Sequence, residues 1–377
     1  MLLIDRYLIG TFVRVFVICF VSLLGMYIVA DFVNNLNELL DQGQSQGSLW
    51  RVLWSYYGPQ FPWFFDLISR VVALIAAVFA VTWLQRHNEM AALMAGGISR
   101  WRIVKPLIVG AGVVAVLAAM NREFVLPALR YELGREAKNL TGDRLEKIHP
   151  RFDRATDIFF DGKGTIAQDR RIEQPKFRLP AKLSQFGYRL SADAAFALPG
   201  DENHPAGYLL TNVREPRPTE PLPSVVLEEK PVIMTPADHA WLEEDQLFVV
   251  SEVPFSLLQG GNEWRQFAST PELIAGLWNP SLEYGPDVSV TVHARLLQPV
   301  LDLLLVFLGL PLVLARESRN VFISAGSCLI MVALFMGVLL ACHGMGMSYL
   351  LSPALATWCP LLIFVPVALA ISEPLRR

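Results

Sequence analysis

Charged side chains inside strongly apolar segments are the residues of this sequence best placed to do chemistry. Asp66 and Arg70 lie four residues apart, on one helical face, and Asp302 lies within a later apolar segment. Ionisable groups at membrane depth are costly and are usually paired or functional. Asp66 and Arg70 either form an ion pair, reach towards the interface, or contact a headgroup at a cavity mouth. Asp302 could pair with Arg295, contact another helix, or face a water-filled cavity.

The loop over residues 84–106 (LQRHNEMAALMAGGISRWRIVKP) is the most distinctive local pattern. Glu89–Ala95 is helix-prone, Gly96 and Gly97 can terminate a helix, and Ser99 can cap the next one. We expect a short amphipathic helix of about residues 86–98 on the cytoplasmic face. It is either a simple interfacial helix or a coupling helix that docks a cytoplasmic partner. In the second case Glu89 would pair with a basic residue of that partner.

Motifs for catalysis are missing from the sequence. The six histidines and four cysteines have no metal-ligand spacing, and there is no HExxH, GxSxG, CxxC or GxxxxGK[ST]. We therefore predict no catalytic residue, no metal site and no cofactor. The chain cannot bind ATP through a P-loop of its own.

The composition indicates which elements carry these residues. The chain has 377 residues, 53% hydrophobic and 18% charged, against about 25% charged in soluble domains. Disorder, a disulfide scaffold and a cytosolic enzyme are thereby disfavoured, and a net charge of −3 does not indicate nucleic-acid binding. Runs of about 20 apolar residues span a bilayer. Six such runs occur, at residues 8–30, 64–84, 103–120, 296–315, 321–343 and 350–371.

The polar residues between the third and fourth runs form a separate domain. The predicted organisation is spans one to three in residues 1–120, a β domain in residues 121–293, and spans four to six in residues 294–377. Short β-rich segments at 157–166, 207–213, 224–227 and 246–253, separated by turn residues, predict an all-β sandwich or an open jelly roll. The Asp161–Gly162 step in the first segment predicts a hairpin turn. The fold class is an α-helical membrane protein with an inserted all-β domain.

Basic residues at the span ends predict the orientation. They flank one set of span ends, at Arg6, Arg86, Arg100, Arg102, Lys105, Arg316, Arg319, Arg376 and Arg377. The opposite side carries acids, with Asp31, Glu38 and Asp41 in the loop at residues 31–62. We expect both termini in the cytoplasm and residues 121–293 outside.

Three segments resemble the lipopolysaccharide-export permeases of the LptF/LptG family. They are the start Ile4-Asp5-Arg6-Tyr7-Leu8, the loop pattern E-x-x-x-L-M-A-x-G-I-S from Glu89 to Ser99, and RLLQPVLDLLLVFLGLP over residues 295–311. The arrangement of three spans, an outer domain and three spans is also that of the family. The Asp-Arg-Tyr start leans towards the LptG arm.

The resemblance implies the membrane half of an ATP-binding-cassette exporter in the bacterial inner membrane. Two permease chains, identical or paralogous, would enclose a cavity, and a cytoplasmic P-loop ATPase dimer would supply the hydrolysis. Lipopolysaccharide would enter between span one of one chain and span five of the other, then pass into a periplasmic jelly roll and a bridge of similar domains. The ATPase contact would fall on the loop residues Glu89, Met90, Leu93, Met94, Ala95 and Gly97.

One departure from the family pattern concerns the outer end of span one. The family can offer basic residues there to the phosphates of the lipid, whereas this chain has Asp31, Asn34, Asn35, Glu38 and Asp41. The positive charge would come from the partner chain or from Arg70, or the glycolipid differs.

Two other function classes stay open from the sequence. A membrane scaffold or sensor with an outer β domain would need no coupling helix and would tolerate charge reversal at Glu89. A glycolipid-modifying enzyme would need an acid–base or metal cluster at the membrane face. Asp66, Glu123 and Asp302 do not form such a cluster in the sequence.

Overall fold

The computed structural model describes residues 3–134, 144–201, 204–216, 222–227, 230–261, 263–315 and 321–372. The chain divides into two compact units, one formed by Met1–Leu129 with Gly285–Arg377 and the other by Arg130–Tyr284. These boundaries lie inside the expected limits of the polar domain, 121–293, because the helices on both sides are longer than their apolar runs.

The first unit is helical, and the described part of the chain contains six helices long and apolar enough to cross a membrane. The helices of the chain up to the β unit are α1 (Leu3–Asn34), α2 (Leu36–Gln46), α3 (Leu49–Tyr57), α4 (Gln60–Arg86), α5 (Glu89–Ala95), α6 (Arg100–Met120) and α7 (Leu126–Leu133), with a π-helical turn, Asn121–Val125, between the last two. The predicted six spans are confirmed. The expected outer loop at residues 31–62 contains α2 and α3.

Helices α4 and α6 both pack against α10 (Pro286–Ala315). Helix α4 also packs against α11 (Val321–Met347), and α12 (Pro353–Ile371) packs against α10 and α11. Small residues allow this, because without bulky side chains the helix backbones approach closely. Ala73, Ala76, Ala77 and Ala80 make α4 alanine-rich on its buried face. A Cβ on Gly309 would lie 2.4 Å from Leu74 Cδ1, so any larger residue there would require the Leu74 side chain to move. By contrast, only 11% of the most apolar stretch of α1 is buried inside the protein.

The second unit is built on one curled antiparallel sheet, a half-barrel. Its strands are β1 (Arg151–Asp153), β2 (Ile158–Phe160), β3 (Gly164–Ile166), β4 (Arg171–Glu173), β5 (Lys176–Arg178), β6 (Arg189–Leu198), β7 (Gly207–Glu215), β8 (Val225–Leu227), β9 (Lys230–Met234) and β10 (Leu247–Val250). Their order is β1-β2-β5-β6-β7-β10-β9-β8, with β4 joining β6 to β3. The inserted all-β domain is thereby confirmed, as an open sheet in place of two stacked sheets.

Buried aromatic rings hold the inside of the half-barrel. Phe160, Phe177 and Tyr208 form one cluster, with ring centroids 4.6 Å apart for the two phenylalanines and 5.1 Å for Phe160 and Tyr208. The Tyr208 hydroxyl donates to the Val253 carbonyl at 2.8 Å. Burial raises the pKa of Tyr208, so this hydroxyl stays protonated and keeps donating.

The predicted hairpin at residues 157–166 is wrong. Strand β2 pairs with β1 and β5, whereas β3 pairs with β4. Gly162 is needed for a close approach between these segments, because a Cβ there would lie 2.6 Å from Ile172 Cγ2. The sequence shows a glycine between two apolar pairs but not which strands those pairs join.

Candidate functional site

Helix α5 lies in the loop that the sequence singled out, and its two ends are set by backbone conformation. Asn88 precedes it with φ +60°, and Gly97 follows with φ +82°. Both are left-handed conformations, which do not continue a right-handed helix. The helix is therefore seven residues long, shorter than the expected span of about residues 86–98.

The residues of α5 divide between an inward and an outward face. Met90 is 5% exposed and belongs to the helical core, and Leu93 packs against that core. Met94, Ala95 and Gly97 are exposed. We call Met94, Ala95 and Gly97, together with Glu89, the α5 surface. Met90 and Leu93 attach this surface to the helices beneath it.

Two polar contacts join the α5 loop to the start of α1. The Tyr7 hydroxyl donates to Glu89 Oε2 at 3.1 Å. Arg102, in the first turn of α6, donates through Nη2 to Asp5 Oδ2 at 3.2 Å. Glu89 is half-buried, and the Tyr7 contact orients its carboxylate. Sequence reasoning missed Tyr7 as a functional residue, although it lies in the N-terminal segment quoted for the resemblance.

The charged residue Asp66 pairs with a residue that the sequence did not single out. Arg122, in the π-helical turn, donates to Asp66 through Nη2 at 2.7 Å and through Nε at 3.2 Å. Its Nη1 also donates to Gln298 Oε1 of α10 at 2.5 Å. Asn121 donates to the Pro62 carbonyl at 2.8 Å. These contacts hold α4, the π turn and α10 together at one level.

Arg70 and Asp302 form the second buried pair, with Nε and Oδ1 3.5 Å apart. Asp302 is 7% exposed. Beside the pair lies a cavity of about 10 Å³, lined by Ser69, Arg70 and Asp302 and by apolar side chains. That is room for one water molecule at most.

The expected pairings at these positions are corrected by the geometry. Asp66 and Arg70 share a helix but each pairs with another helical segment, and Asp302 pairs with Arg70 and not with Arg295. Each of the three substrate-cavity candidates, Asp66, Arg70 and Asp302, is paired with an oppositely charged side chain. Arg122 and Gln298 were missed because their partners are 56 and 176 residues away in the chain, where no local pattern can indicate contact.

The acidic end of α1 is also structurally engaged. Asp31 accepts hydrogen bonds from the Tyr57 hydroxyl at 3.0 Å and from Asn35 Nδ2 at 3.1 Å. Burial and the charge of Asp31 raise the pKa of Tyr57. The Asp31 carboxylate at this end of α1 is therefore already hydrogen-bonded within the chain. Arg70, the cation expected to act near this end, is paired with Asp302.

Comparison with known proteins identifies the family. The family model described as lipopolysaccharide export system permease LptF/LptG matches residues 6–173 and 267–373. The chain belongs to this family. The match to LptF/LptG includes α4, α5, the π turn and all of α10, and it does not separate the LptF arm from the LptG arm. No curated protein matches the chain.

Membership in LptF/LptG implies a permease subunit of a lipopolysaccharide export system, which is a transport function. Together with the six apolar helices it describes a multi-pass membrane protein. The unmatched residues 174–266 contain the central strands of the half-barrel.

Proposed function

We propose that this chain is one permease subunit in the membrane half of an exporter that extracts lipopolysaccharide, or a similar glycolipid, from the bacterial inner membrane. A separate cytoplasmic P-loop ATPase dimer drives it by docking on the α5 surface. The observation that carries the proposal is a short exposed helix whose leading acid, Glu89, is oriented by Tyr7. The sequence has no P-loop motif, so ATP hydrolysis must come from a partner.

The α5 surface is suited to transmit movement. Met90 and Leu93 bind α5 to the helical core, where α4 and α6 lie. Tyr7 attaches Glu89 of α5 to α1, and Asp5 of α1 accepts from Arg102 of α6. A displacement of α5 by the ATPase would therefore move three helices that carry or flank the buried ion pairs.

Energy input is needed because extraction exposes acyl chains. Removing lipid from a bilayer costs about 0.8 kcal/mol for each CH₂ that loses its apolar surroundings. The half-barrel of the second unit, which we infer to be periplasmic, would receive the acyl chains against its apolar inside. Periplasmic bridge proteins with jelly-roll domains would then accept the lipid.

A second permease chain completes the cavity in this proposal. Helix α1 has little of its apolar surface covered, which leaves it available to the fifth span of a partner chain. Because Arg70 and Arg122 are engaged by carboxylates, we infer that the cations for lipid phosphates come largely from that partner.

The test is a detergent pull-down of tagged chain, wild type against Glu89→Arg, with mass spectrometry of the co-purified proteins. Reversing the charge would place a cation opposite the basic residue expected on the ATPase. We expect a P-loop ATPase with the wild type and its loss with Glu89→Arg. A second permease chain in both eluates would define the pairing.

A matched control is Asp41→Arg, which reverses an exposed acid on α2. It should retain the ATPase. Recovery of the ATPase with Glu89→Arg, or its absence from the wild type, would favour the scaffold or sensor alternative. Elution volume in size-exclusion chromatography checks that each variant is folded.

A further inference from the structure

Helix α3 carries two exposed tryptophans that the proposed transport cycle does not use. Trp50 is 83% exposed and Trp54 is 75% exposed. They are four residues apart and therefore lie on one face of the helix. Large apolar side chains that are exposed together indicate a contact with a membrane or with another protein. The position of α3 in the fold decides between these two.

Helix α3 is fixed to the ends of two membrane-spanning helices. The Tyr57 hydroxyl at its end donates to Asp31, near the end of α1, at 3.0 Å. Val52 and Tyr57 are buried and hold the helix against its neighbours. Helix α4 begins at Gln60, shortly after α3 ends. Helix α3 therefore lies at the level where α1 ends and α4 begins.

This level is one surface of the membrane, opposite α5. Phe61 and Trp83 lie near the two ends of α4, and both are exposed. A rise of about 1.5 Å per residue puts them about 33 Å apart, close to the ~30 Å thickness of the hydrocarbon core. Aromatic side chains are enriched at both membrane–water interfaces. Trp83 marks the interface near α5, so Phe61 and α3 mark the other one.

Besides its buried side, α3 has an aromatic side and a polar side. With 3.6 residues per turn, Trp50 and Trp54 fall on the aromatic side, and Arg51 and Ser55 on the polar side next to it. Arg51 and Ser55 are both exposed. Arg51 forms no ion pair with any side chain in the described part of the chain. An aromatic side beside a polar, cationic one is the pattern of a helix that lies in a membrane surface.

We propose that α3 lies in the bilayer surface opposite α5 and binds anionic phospholipid there. Trp50 and Trp54 would insert at the boundary between headgroups and acyl chains, which suits an apolar ring with one polar atom. Arg51 would then stand at headgroup level, where a lipid phosphate is its counter-ion. This inference goes beyond the proposed transport cycle, because the lipid is the bulk phospholipid of the membrane and not the exported glycolipid.

The test is photo-crosslinking of the full chain in vesicles of equal parts phosphatidylglycerol and phosphatidylethanolamine. The photoreactive residue p-benzoylphenylalanine replaces Trp50 or Trp54, and intact-mass spectrometry identifies what each position captures. We expect a phospholipid adduct at both positions. Elution volume in size-exclusion chromatography, measured in detergent before reconstitution, checks that each variant is folded.

Two control positions carry the same photoreactive residue. Ser55 tests the polar side of α3, and Tyr188 is an exposed aromatic residue of the β unit. Helices α8 (Phe255–Gly260) and α9 (Thr270–Trp278) of that unit are avoided, because α9 has an exposed tryptophan of its own, Trp278. Phospholipid adducts at Ser55 and Tyr188 should be at least about fivefold fewer than at the two tryptophans of α3.

Arg51→Gln tests the headgroup contact. With Arg51 present, phosphatidylglycerol adducts at Trp54 should exceed phosphatidylethanolamine adducts by about twofold or more, because a cation near the surface attracts the anionic lipid. Arg51→Gln should bring this ratio close to one. The matched control Arg154→Gln removes an exposed cation from the second unit and should leave the ratio unchanged.

Capture of protein in place of phospholipid at Trp50 and Trp54 would overturn the proposal and assign this side of α3 to another chain. The absence of any adduct would overturn it too, as would adducts at Ser55 as abundant as those at Trp54. A ratio unchanged by Arg51→Gln would overturn the headgroup contact. The vesicles contain neither lipopolysaccharide nor an ATPase, so this proposal and the transport proposal fail separately.

Discussion

The hydrogen bond between Tyr7 and Glu89 joins two segments that the chain places 82 residues apart. A carboxylate at the start of a short exposed helix would otherwise sample many rotamers. The tyrosine selects one of them before any partner arrives, which lowers the entropy that docking must remove. Tyr7 is therefore a positioning residue for the proposed ATPase contact.

Tyr7→Phe should weaken ATPase retention by about two- to tenfold, which corresponds to the roughly 0.5–1.5 kcal/mol of one net hydrogen bond. The loss should be smaller than for Glu89→Arg. Quantitative mass spectrometry of the pull-down measures it, with Tyr188→Phe, at an 88% exposed tyrosine, as the control. Unchanged retention in Tyr7→Phe would mean that Glu89 needs no orienting contact.

Asp302→Asn leaves Arg70 without its carboxylate. Arg70 has 18% of its side chain exposed, and removing one partner of a buried pair costs about 3–5 kcal/mol. We expect a marked drop in the thermal unfolding temperature in detergent, with much of it recovered in the double variant Arg70→Gln/Asp302→Asn. Glu283→Gln, at the exposed pair with Arg154, should cost at most about 1 kcal/mol.

Export assays with the double variant decide between structure and transport. If the pair lines the substrate path, export should fall even where stability is restored. Full export in the stable double variant would assign Arg70 and Asp302 to helix packing alone.

At the scale of elements, α5 depends on its ends more than on its seven residues. A helix this short has little intrinsic stability in water. The left-handed Asn88 and Gly97, with the Ser99 side chain accepting from the Arg102 backbone N–H at 3.4 Å, fix where it begins and where α6 resumes. The inward side chains then anchor it to the core.

Gly97→Pro should abolish ATPase retention while the six spans stay folded. Proline fixes φ near −65°, whereas Gly97 has φ +82°. The matched control is Gly97→Asn, because asparagine tolerates the left-handed region and nothing lies within 4 Å of a Cβ at this position. It should retain most of the ATPase. Equal losses in both variants would show that glycine is needed at the contact itself and not for the backbone.

At the scale of the whole molecule, a helical unit and a β unit are combined in one chain, and the proposed function requires α5 and the β unit on opposite sides of the membrane. The exposed Tyr188 belongs to the β unit and the exposed Ala92 to α5. Arg316, Arg319, Arg376 and Arg377, which support the orientation, lie outside the described residues. Cysteine labelling at Tyr188 and Ala92 tests the orientation.

Tyr188→Cys should react with a membrane-impermeant maleimide in intact spheroplasts, and Ala92→Cys only after lysis. The native Cys328 and Cys342 are buried, and the unsubstituted chain gives the background from Cys19 and Cys359. Labelling of Ala92→Cys in intact spheroplasts would invert the topology and remove the basis for a cytoplasmic ATPase contact.

The sequence by itself determined the features that depend on neighbouring residues. Six spans follow from runs of about 20 apolar residues, and the position of α5 follows from the helix-prone Glu89–Ala95, from Gly96 and Gly97, and from Ser99 within one short segment. The family resemblance, too, rests on contiguous motifs. Even so, the sequence reasoning gave no helices at α2 and α3, because helices of 11 and 9 residues are far shorter than the runs of about 20 apolar residues that mark a membrane span.

Only the tertiary structure decided which residues meet across the chain. Asp66 lies beside Arg70 in sequence yet pairs with Arg122, and Arg70 pairs with Asp302 of α10. Likewise β2 and β3 are adjacent in sequence but pair with different strands. The reason is physical: a local pattern records which side chains prefer burial, whereas the choice of partner depends on the packing of helices and strands that are distant in the chain.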